Sequence, residues 1–373
     1  MIFFGFFLVS ALVCGGLVLA AKRVPQIAGR SYDLAAVQSM HVHPTPRIGG
    51  IGIFIAFFFG FTLVPPSFFD SYFRLAFATS LLFAVGLMED LGIGVSPSKR
   101  LFACAMASLV AIILLDAWLP RIGVPSFDPV MATWIVGIPS TLLITAAVAN
   151  GFNLIDGVNG LAALTGIAAA TALANIAQQA GYFEIHDIAL FLTAGMLGFL
   201  ILNYPFGLIF LGDAGAYAIG FILSWFGIFI LLNATSASPW AILLTVFWPL
   251  ADTLLAIYRR RSSSSRAMAP DRLHVHQLVM RSLEIYVLGR HRRHVSNPLT
   301  TLVLAPFVIA PPFTGVLLWD ENKHAFFAVL VFLMLFFASY FGAIAFLKRL
   351  PRESRCCPRR QTRPAGRVPT NDK

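Results

Sequence analysis

Residues 187–232 read DIALFLTAGMLGFLILNYPFGLIFLGDAGAYAIGFILSWFGIFILL, and this stretch decides the fold class. Two apolar runs, 187–203 and 215–232, flank a short segment that contains Asp213. An apolar run of about 20 residues crosses a bilayer as an α-helix, because in lipid the backbone must bond to itself. The stretch therefore predicts two membrane-spanning helices joined by a polar loop.

The same pattern recurs along the whole chain. Of its 373 residues, 58% are hydrophobic and 12% are charged, with a mean hydropathy of +0.80, whereas soluble domains carry about 25% charged residues. We predict an all-α, polytopic membrane bundle of about eleven transmembrane helices, with residues 1–350 as one membrane domain and 351–373 as a basic, disordered cytoplasmic tail. The predicted spans are 2–21, 48–64, 72–88, 101–119, 130–149, 158–178, 187–203, 215–232, 239–258, 299–318 and 324–347.

The distribution of basic residues predicts the orientation. With the N-terminus periplasmic and the C-terminus cytoplasmic, the inner loops and the tail hold 24 of the 27 Lys and Arg residues, and only Arg74, Arg121 and Lys323 fall outside. Positive charge concentrates on the cytoplasmic side of membrane proteins. The net charge of +10 thus reflects topology and contact with anionic membrane lipids, not binding to nucleic acid.

Five polar sequences fall on one side of the membrane in this topology. They follow the first, third, fifth, seventh and ninth predicted spans, where chance would scatter polar motifs over both faces. We therefore expect an active site at the cytoplasmic face. The sequences are 41–50 (HVHPTPRIGG), 89–100 (EDLGIGVSPSKR), 150–160 (NGFNLIDGVNG), 203–215 (NYPFGLIFLGDAG) and 271–277 (DRLHVHQ).

The third and fourth of these sequences carry the clearest chemistry. Asn150, Asn153 and Asp156 are spaced by three and lie on one side of a helical turn. Their amides could read a base edge and the carboxylate could accept from a ribose or from the water of a cation, unless they form only a polar helix cap. Asp213, between two glycines at the start of an apolar helix, could hold Mg²⁺ with phosphate oxygens completing the shell, or act as an N-cap.

Acids elsewhere leave more alternatives open. Glu89 and Asp90 are adjacent at the end of a span, where paired acids bind a cation, pair with a base or exchange a proton, unless the helix end is merely solvated. Asp252 lies inside a predicted span and is either functional or paired with a neighbouring helix.

The histidines have comparable alternatives. His274 and His276 suit phosphate binding or acid–base work better than zinc, which needs more ligands. His41 and His43 could equally be interfacial loop residues.

Together these motifs resemble the polyprenyl-phosphate N-acetylhexosamine-1-phosphate transferase superfamily, or glycosyltransferase family 4. The resemblance runs from about His41 to Gln277 through PTPRIGG, the acid pair followed by SPSKRL, NxxNxxDGxxGL, GDxGxxxxG and DxxHxH. It implies an enzyme of the bacterial cytoplasmic membrane in which undecaprenyl phosphate attacks the β-phosphorus of a UDP-sugar. The products would be a lipid-diphosphate sugar and UMP, at the start of a surface polysaccharide such as O-antigen.

The resemblance also implies a role for each matched residue. Asp213 would bind Mg²⁺, with Mn²⁺ as an alternative. The implied catalytic residues are Glu89, Asp90, Asp156, His274 and His276, and the implied substrate-binding residues are Arg47, Lys99, Asn150, Asn153, Asn203, Phe210, Asp271 and Arg272.

Three positions depart from the family pattern: Glu89 stands where Asp is usual, Asn159 replaces a common acid, and Gln277 replaces the last His of HxHH. Alternatives to the stated reaction are a 6-deoxy-HexNAc or phospho-MurNAc-pentapeptide donor, an inactive paralogue, and a transporter or flippase. A homodimer is a further option that the sequence leaves open.

Overall fold

A computed structural model describes residues 2–23, 45–262, 274–289 and 292–349, and in these ranges the regular structure is entirely helical. The all-α prediction is confirmed. The helices are α1 (Ile2–Arg23), α2 (Gly50–Phe59), α3 (Pro66–Asp90), α4 (Pro97–Leu115), α5 (Asp128–Met131), α6 (Trp134–Ile155), α7 (Leu161–Gln179), α8 (Phe183–Asn203), α9 (Gly212–Asn233), α10 (Pro239–Thr245), α11 (Phe247–Ser262), α12 (Val275–Tyr286), α13 (Arg293–Leu317) and α14 (Asn322–Arg349).

The number of spans is lower than the eleven that the sequence predicts. Among the described residues, nine helices are long and apolar enough to cross a membrane, or ten if the bent pair α10–α11 counts as one span. The predicted span 48–64 is instead the short apolar helix Gly50–Thr62, made of α2 and one 3₁₀ turn. Which face each terminus lies on stays a prediction.

Helix α9 forms the centre of the bundle. In its most apolar window 89% of the residues are buried, against 17% for α1 and α14 at the periphery. It packs against α3 and α6, and close approach is possible because glycines face its neighbours. A Cβ on Gly86 of α3 would lie 2.5 Å from the Cα atom of Ala214, and one on Gly220 would lie 2.6 Å from that of Ala149. Small residues serve this purpose in membrane helices generally.

The ninth predicted span, 239–258, is broken rather than straight. Helices α10 and α11 meet at Val246 with a bend of 81°. Pro249 stands in the first turn of α11, where its missing N–H cannot extend the hydrogen-bond ladder of α10. The bend lets α11 carry Asp252 towards α12, which is too short to span.

Candidate active site

The ends of four helices meet around Asp213. The end of α3 supplies Asp90, the start of α4 supplies Arg100, the end of α6 supplies Asn153, and α9 begins with Gly212 and Asp213. These residues come from three of the five polar sequences, and Arg47 adds a fourth. The structure therefore brings together motifs that are far apart in the chain.

Asp213 is the most enclosed group of this cluster, with a side chain only 2% exposed. Its Oδ1 atom accepts hydrogen bonds from Nη2 of Arg47 at 3.2 Å and from Nδ2 of Asn153 at 2.9 Å. Its Oδ2 atom pairs with the guanidinium of Arg100. The carboxylate thus lies between two cations and an amide at the edge of the bundle.

The N-terminus of α9 binds two further carboxylates. The amide N–H groups of Asp213 and Ala214 donate to the two oxygens of Asp90, each at 2.9 Å, and the N–H of Gly212 donates to Oδ2 of Asp156 at 3.1 Å. Unpaired amides and the helix dipole favour negative charge at this position. Gly212 is required because its φ is +75° and a Cβ would collide with the carbonyl oxygen of Arg47.

Acids outnumber arginines in this cluster. Three carboxyl groups, those of Asp90, Asp156 and Asp213, lie near the guanidinium groups of Arg47 or Arg100, and Glu89 lies next to Asp90. Burial raises the pKa of Asp156 to about 6, while Arg47 and the N–H of Gly212 limit the rise. An excess of carboxylates over arginines favours binding of a cation.

The donor set fits Mg²⁺, although no group of three or more His, Cys, Asp or Glu in the described part of the chain could hold a metal by itself. Mg²⁺ needs only one or two protein carboxylates when phosphates and water complete its shell. Asp213 is the buried carboxylate that would hold it, with Arg47 and Arg100 beside it.

The histidines of the last motif pack behind this cluster. His276 is 2% exposed, and a Cβ on Gly157 would lie 2.9 Å from its Nε2 atom. Burial lowers the pKa of His276 to about 4, so that its ring is neutral near pH 7. Nδ1 of His274 lies 2.7 Å from Oδ2 of Asp252, which identifies the helix partner of this intramembrane acid.

A second polar layer supports the loop between α6 and α7. Oδ1 of Asn203 accepts from the N–H of Gly160 at 2.6 Å. Two residues of α13 hold the backbone of Asn159: Asn297 accepts from its N–H at 2.8 Å, and Thr301 donates to the carbonyl oxygen of Asn159 at 2.6 Å. Sequence reasoning missed Asn297 and Thr301, because polar residues around the start of the predicted span 299–318 carry no motif.

Asn159 donates a hydrogen bond that an ionised acid at this position could not donate. Its Nδ2 atom donates to the carbonyl oxygen of Pro205 at 2.8 Å. A carboxylate has no hydrogen to donate when ionised. Asn159, which stands where an acid is common in the family, therefore links the α6–α7 loop to the α8–α9 loop through this hydrogen bond.

The remaining predicted site residues lie around this cluster or outside the described part of the chain. Lys99 is exposed, whereas the neighbouring Arg100, absent from the predicted set, contacts Asp213. Glu89 is half-buried and accepts from the N–H of Val95, and Asn150 is half-buried at the end of α6. Phe210 is held by backbone hydrogen bonds to Pro46 and Gly49. Asp271, Arg272, His41 and His43 lie outside the described residues.

Comparison with known proteins identifies the class. Residues 72–231 match the model of glycosyl transferase family 4. An undecaprenyl-phosphate alpha-N-acetylglucosaminyl 1-phosphate transferase of Yersinia pestis is 30% identical over 263 residues, which cover 67% of this chain and 69% of the relative. This chain belongs to glycosyl transferase family 4, as the five motifs predict, and it is a multi-pass membrane protein.

Two further relatives share a comparable part of the chain. A probable undecaprenyl-phosphate N-acetylglucosaminyl 1-phosphate transferase of Bacillus subtilis is 27% identical over 278 residues, covering 74% of this chain and 76% of its own. A decaprenyl-phosphate N-acetylglucosaminephosphotransferase of Mycolicibacterium smegmatis is 28% identical over 289 residues, covering 69% of each.

Proposed function

We propose that this protein transfers an N-acetylhexosamine-1-phosphate from a UDP-sugar to undecaprenyl phosphate. The observation that carries the proposal is the buried Asp213 carboxylate between Arg47 and Arg100 where four helix ends meet. Three relatives whose names give this kind of transfer to a polyprenyl phosphate support it. The lipid-linked product would begin a cell-surface polysaccharide such as O-antigen.

The reaction joins two anions. An oxygen of the lipid phosphate forms a bond to the β-phosphorus of the UDP-sugar, and the bond from that phosphorus to the bridging oxygen breaks. UMP leaves with the bonding electrons. Cationic groups must therefore offset repulsion between the phosphates and stabilise the charge on the phosphoryl group in transfer.

Different residues of the cluster would bind the phosphates, the uridine and the cation. Arg47 and Arg100, which pair with Asp213 here, have the forked guanidinium geometry that suits phosphate oxygens. Asn153 and Asp156, at the end of α6, would orient the uridine part of the donor. Mg²⁺ held by Asp213 would supply Lewis-acid stabilisation of the diphosphate.

Glu89 and Asp90 would organise the acceptor side. Asp90 is fixed by two backbone N–H groups, so its position is set by α9 itself. The helix ends lie at the edge of the apolar bundle, where a lipid phosphate can reach them while its tail stays in the membrane. Other nucleotide-sugar donors, including 6-deoxy-HexNAc and phospho-MurNAc-pentapeptide forms, would use the same chemistry.

A transporter is the alternative from another class. A broken helix such as α10–α11 is typical of transporters. However, a transporter places its charged site near the midplane, whereas Asp90, Arg100, Asp156 and Asp213 lie at helix ends. Release of UMP distinguishes the two functions, because transport leaves the donor intact.

The test is transfer by the purified protein in detergent, with undecaprenyl phosphate, Mg²⁺ and a panel of UDP-sugars. We expect UMP release and a lipid-diphosphate sugar from at least one donor, and loss of both with Asp213→Asn or with EDTA. Asp70→Asn is the matched control, because Asp70 is an exposed acid that pairs with Arg74 at the far end of α3. A protein that stays folded and releases no UMP from any donor would contradict the proposal.

A further inference from the structure

Asp252 is a buried acid in the broken span, and the cluster around Asp213 does not include it. Its side chain is 1% exposed, and that of its partner His274 is 4% exposed. A carboxylate removed from water within a membrane is strongly destabilising unless it is paired. The pairing partner here belongs to the DRLHVHQ sequence, so the acid acts on a candidate site residue.

A continuous line of contacts leads from Asp252 to the site. The rings of His274 and His276 stack with centroids 5.7 Å apart and planes 16° apart. Nε2 of His276 faces Gly157, whose missing side chain makes room for the ring. The preceding residue, Asp156, accepts from the first N–H of α9.

We infer that Asp252 is a positioning residue, which fixes the tautomer and the ring orientation of His274 and thereby holds His276 against Gly157. This inference rests on the proposed transferase function. Asp252 lies outside the cluster around Asp213 and would act through His274, from a different helix.

The chemistry of the pair determines where the proton lies. An ionised carboxylate only accepts hydrogen bonds, so Nδ1 of His274 must carry the hydrogen and Nε2 is left able to accept a proton. Oδ1 of Asp252 is buried and has no hydrogen-bond partner among the described residues, so within these residues the side chain is held through Oδ2 by His274. An Asn at this position could donate to Nδ1 and so select the opposite tautomer, as is known for histidines oriented by Asp.

The kinetic test uses Asp252→Asn, His274→Ala and the double variant. We expect Asp252→Asn to lower kcat by at least about tenfold, because a histidine left in the wrong tautomer loses much of its activity, with a smaller change in KM for the UDP-sugar. The double variant should be no slower than His274→Ala alone, since Asp252 acts through that ring. A further loss of rate in the double variant, or a native rate for Asp252→Asn, would overturn the inference.

Asp128→Asn is the matched control for the loss of a structural acid. Asp128 accepts from the N–H groups of Ile122, Gly123 and Val124 before the start of α6, at the end remote from Asp156. Its loss should lower the melting temperature without lowering kcat. An equal fall of kcat in both variants would mean that Asp252 has only a structural role.

A spectroscopic measurement separates this inference from the proposed function. In protein labelled with ¹⁵N-histidine, the His274 signals, assigned by their loss in His274→Ala, should report hydrogen on Nδ1 in the native chain and on Nε2 in Asp252→Asn. Should Asp252→Asn fail to fold, Asp252→Glu should keep both the native tautomer and part of the rate. An unchanged tautomer in Asp252→Asn refutes positioning, whereas a native protein that transfers no sugar refutes the function alone.

Discussion

At the scale of single residues, the site depends on which of two neighbouring cations faces Asp213. Lys99 and Arg100 are adjacent, and successive residues point about 100° apart around a helix with 3.6 residues per turn. In the structure Arg100 is turned inwards and Lys99 is exposed. The motif SPSKRL predicts a cation near the site but not whether Lys99 or Arg100 faces Asp213. The choice between them depends on how α4 is rotated against α9.

We predict that Arg100→Ala lowers transfer far more than Lys99→Ala. Removal of Arg100 deletes a guanidinium that pairs with the buried Asp213, whereas Lys99 is solvated. Loss of a charge-assisted contact of this kind corresponds to about 1.5–3 kcal/mol, or roughly a tenfold to hundredfold fall in kcat/KM. Initial rates of both variants would decide it, and a larger loss for Lys99→Ala would reverse the assignment.

A second residue-scale prediction concerns Asp156. Burial raises its pKa to about 6, so the carboxyl is neutral below that pH and ionised above it. If the carboxylate accepts from the donor, UDP-sugar affinity should rise as pH increases through about 6. Calorimetric titration of the UDP-sugar without the lipid avoids the lipid phosphate, whose second pKa of about 6 would overlap.

Asp156→Asn is the control for this titration. The amide does not ionise, so the affinity of the variant should lose the rise that the native protein shows between about pH 5 and 7. A rise that persists unchanged in the variant would assign the titration to another group.

At the scale of helices, the sequence determines which segments are apolar but not where they bend. The run 239–258 is continuous in hydropathy, so it predicts one straight span. The bend of 81° lies just before Pro249, which stands in the first turn of α11 and packs against Gly151 of α6, a packing relation that hydropathy does not record. For the same reason Asn297 and Thr301 escape notice: they are identified as site support only when α13 packs against the α6–α7 loop.

Helix packing gives a third prediction, the contrast between Gly86→Ala and Gly16→Ala. A methyl group on Gly86 would press α3 away from Ala214 at the start of α9, whereas one on Gly16 meets nothing within 4 Å. Gly86→Ala should therefore destabilise the fold by about 1–3 kcal/mol, as overpacking does, and reduce transfer. Gly16→Ala should be neutral or slightly stabilising, because Ala favours helix. Thermal melting of both variants in the same detergent is the measurement.

At the scale of the whole molecule, the predicted orientation places the site on the cytoplasmic side, which chemical labelling can test. In a Cys-free background, a cysteine at Ser98, beside the site, should be protected from impermeant thiol reagents in intact cells. One at Ser67, at the other end of α3, should react. Both positions are exposed, so accessibility within the protein does not differ. Reaction at Ser98 from outside would reverse the predicted orientation and place the site on the periplasmic face.

The burial of α9 has a consequence for how the protein is made. Its hydropathy of 2.1 exceeds the 1.5 of α3, although protein rather than lipid surrounds most of α9 in the finished bundle. Membrane helices enter the bilayer individually before they associate, so α9 must be stable in lipid before it packs against the helices that follow it in the chain. Asp213, at the start of α9, precedes in the chain the histidines and α13, which complete the surroundings of the site. Biogenesis therefore assembles this site from its centre outwards.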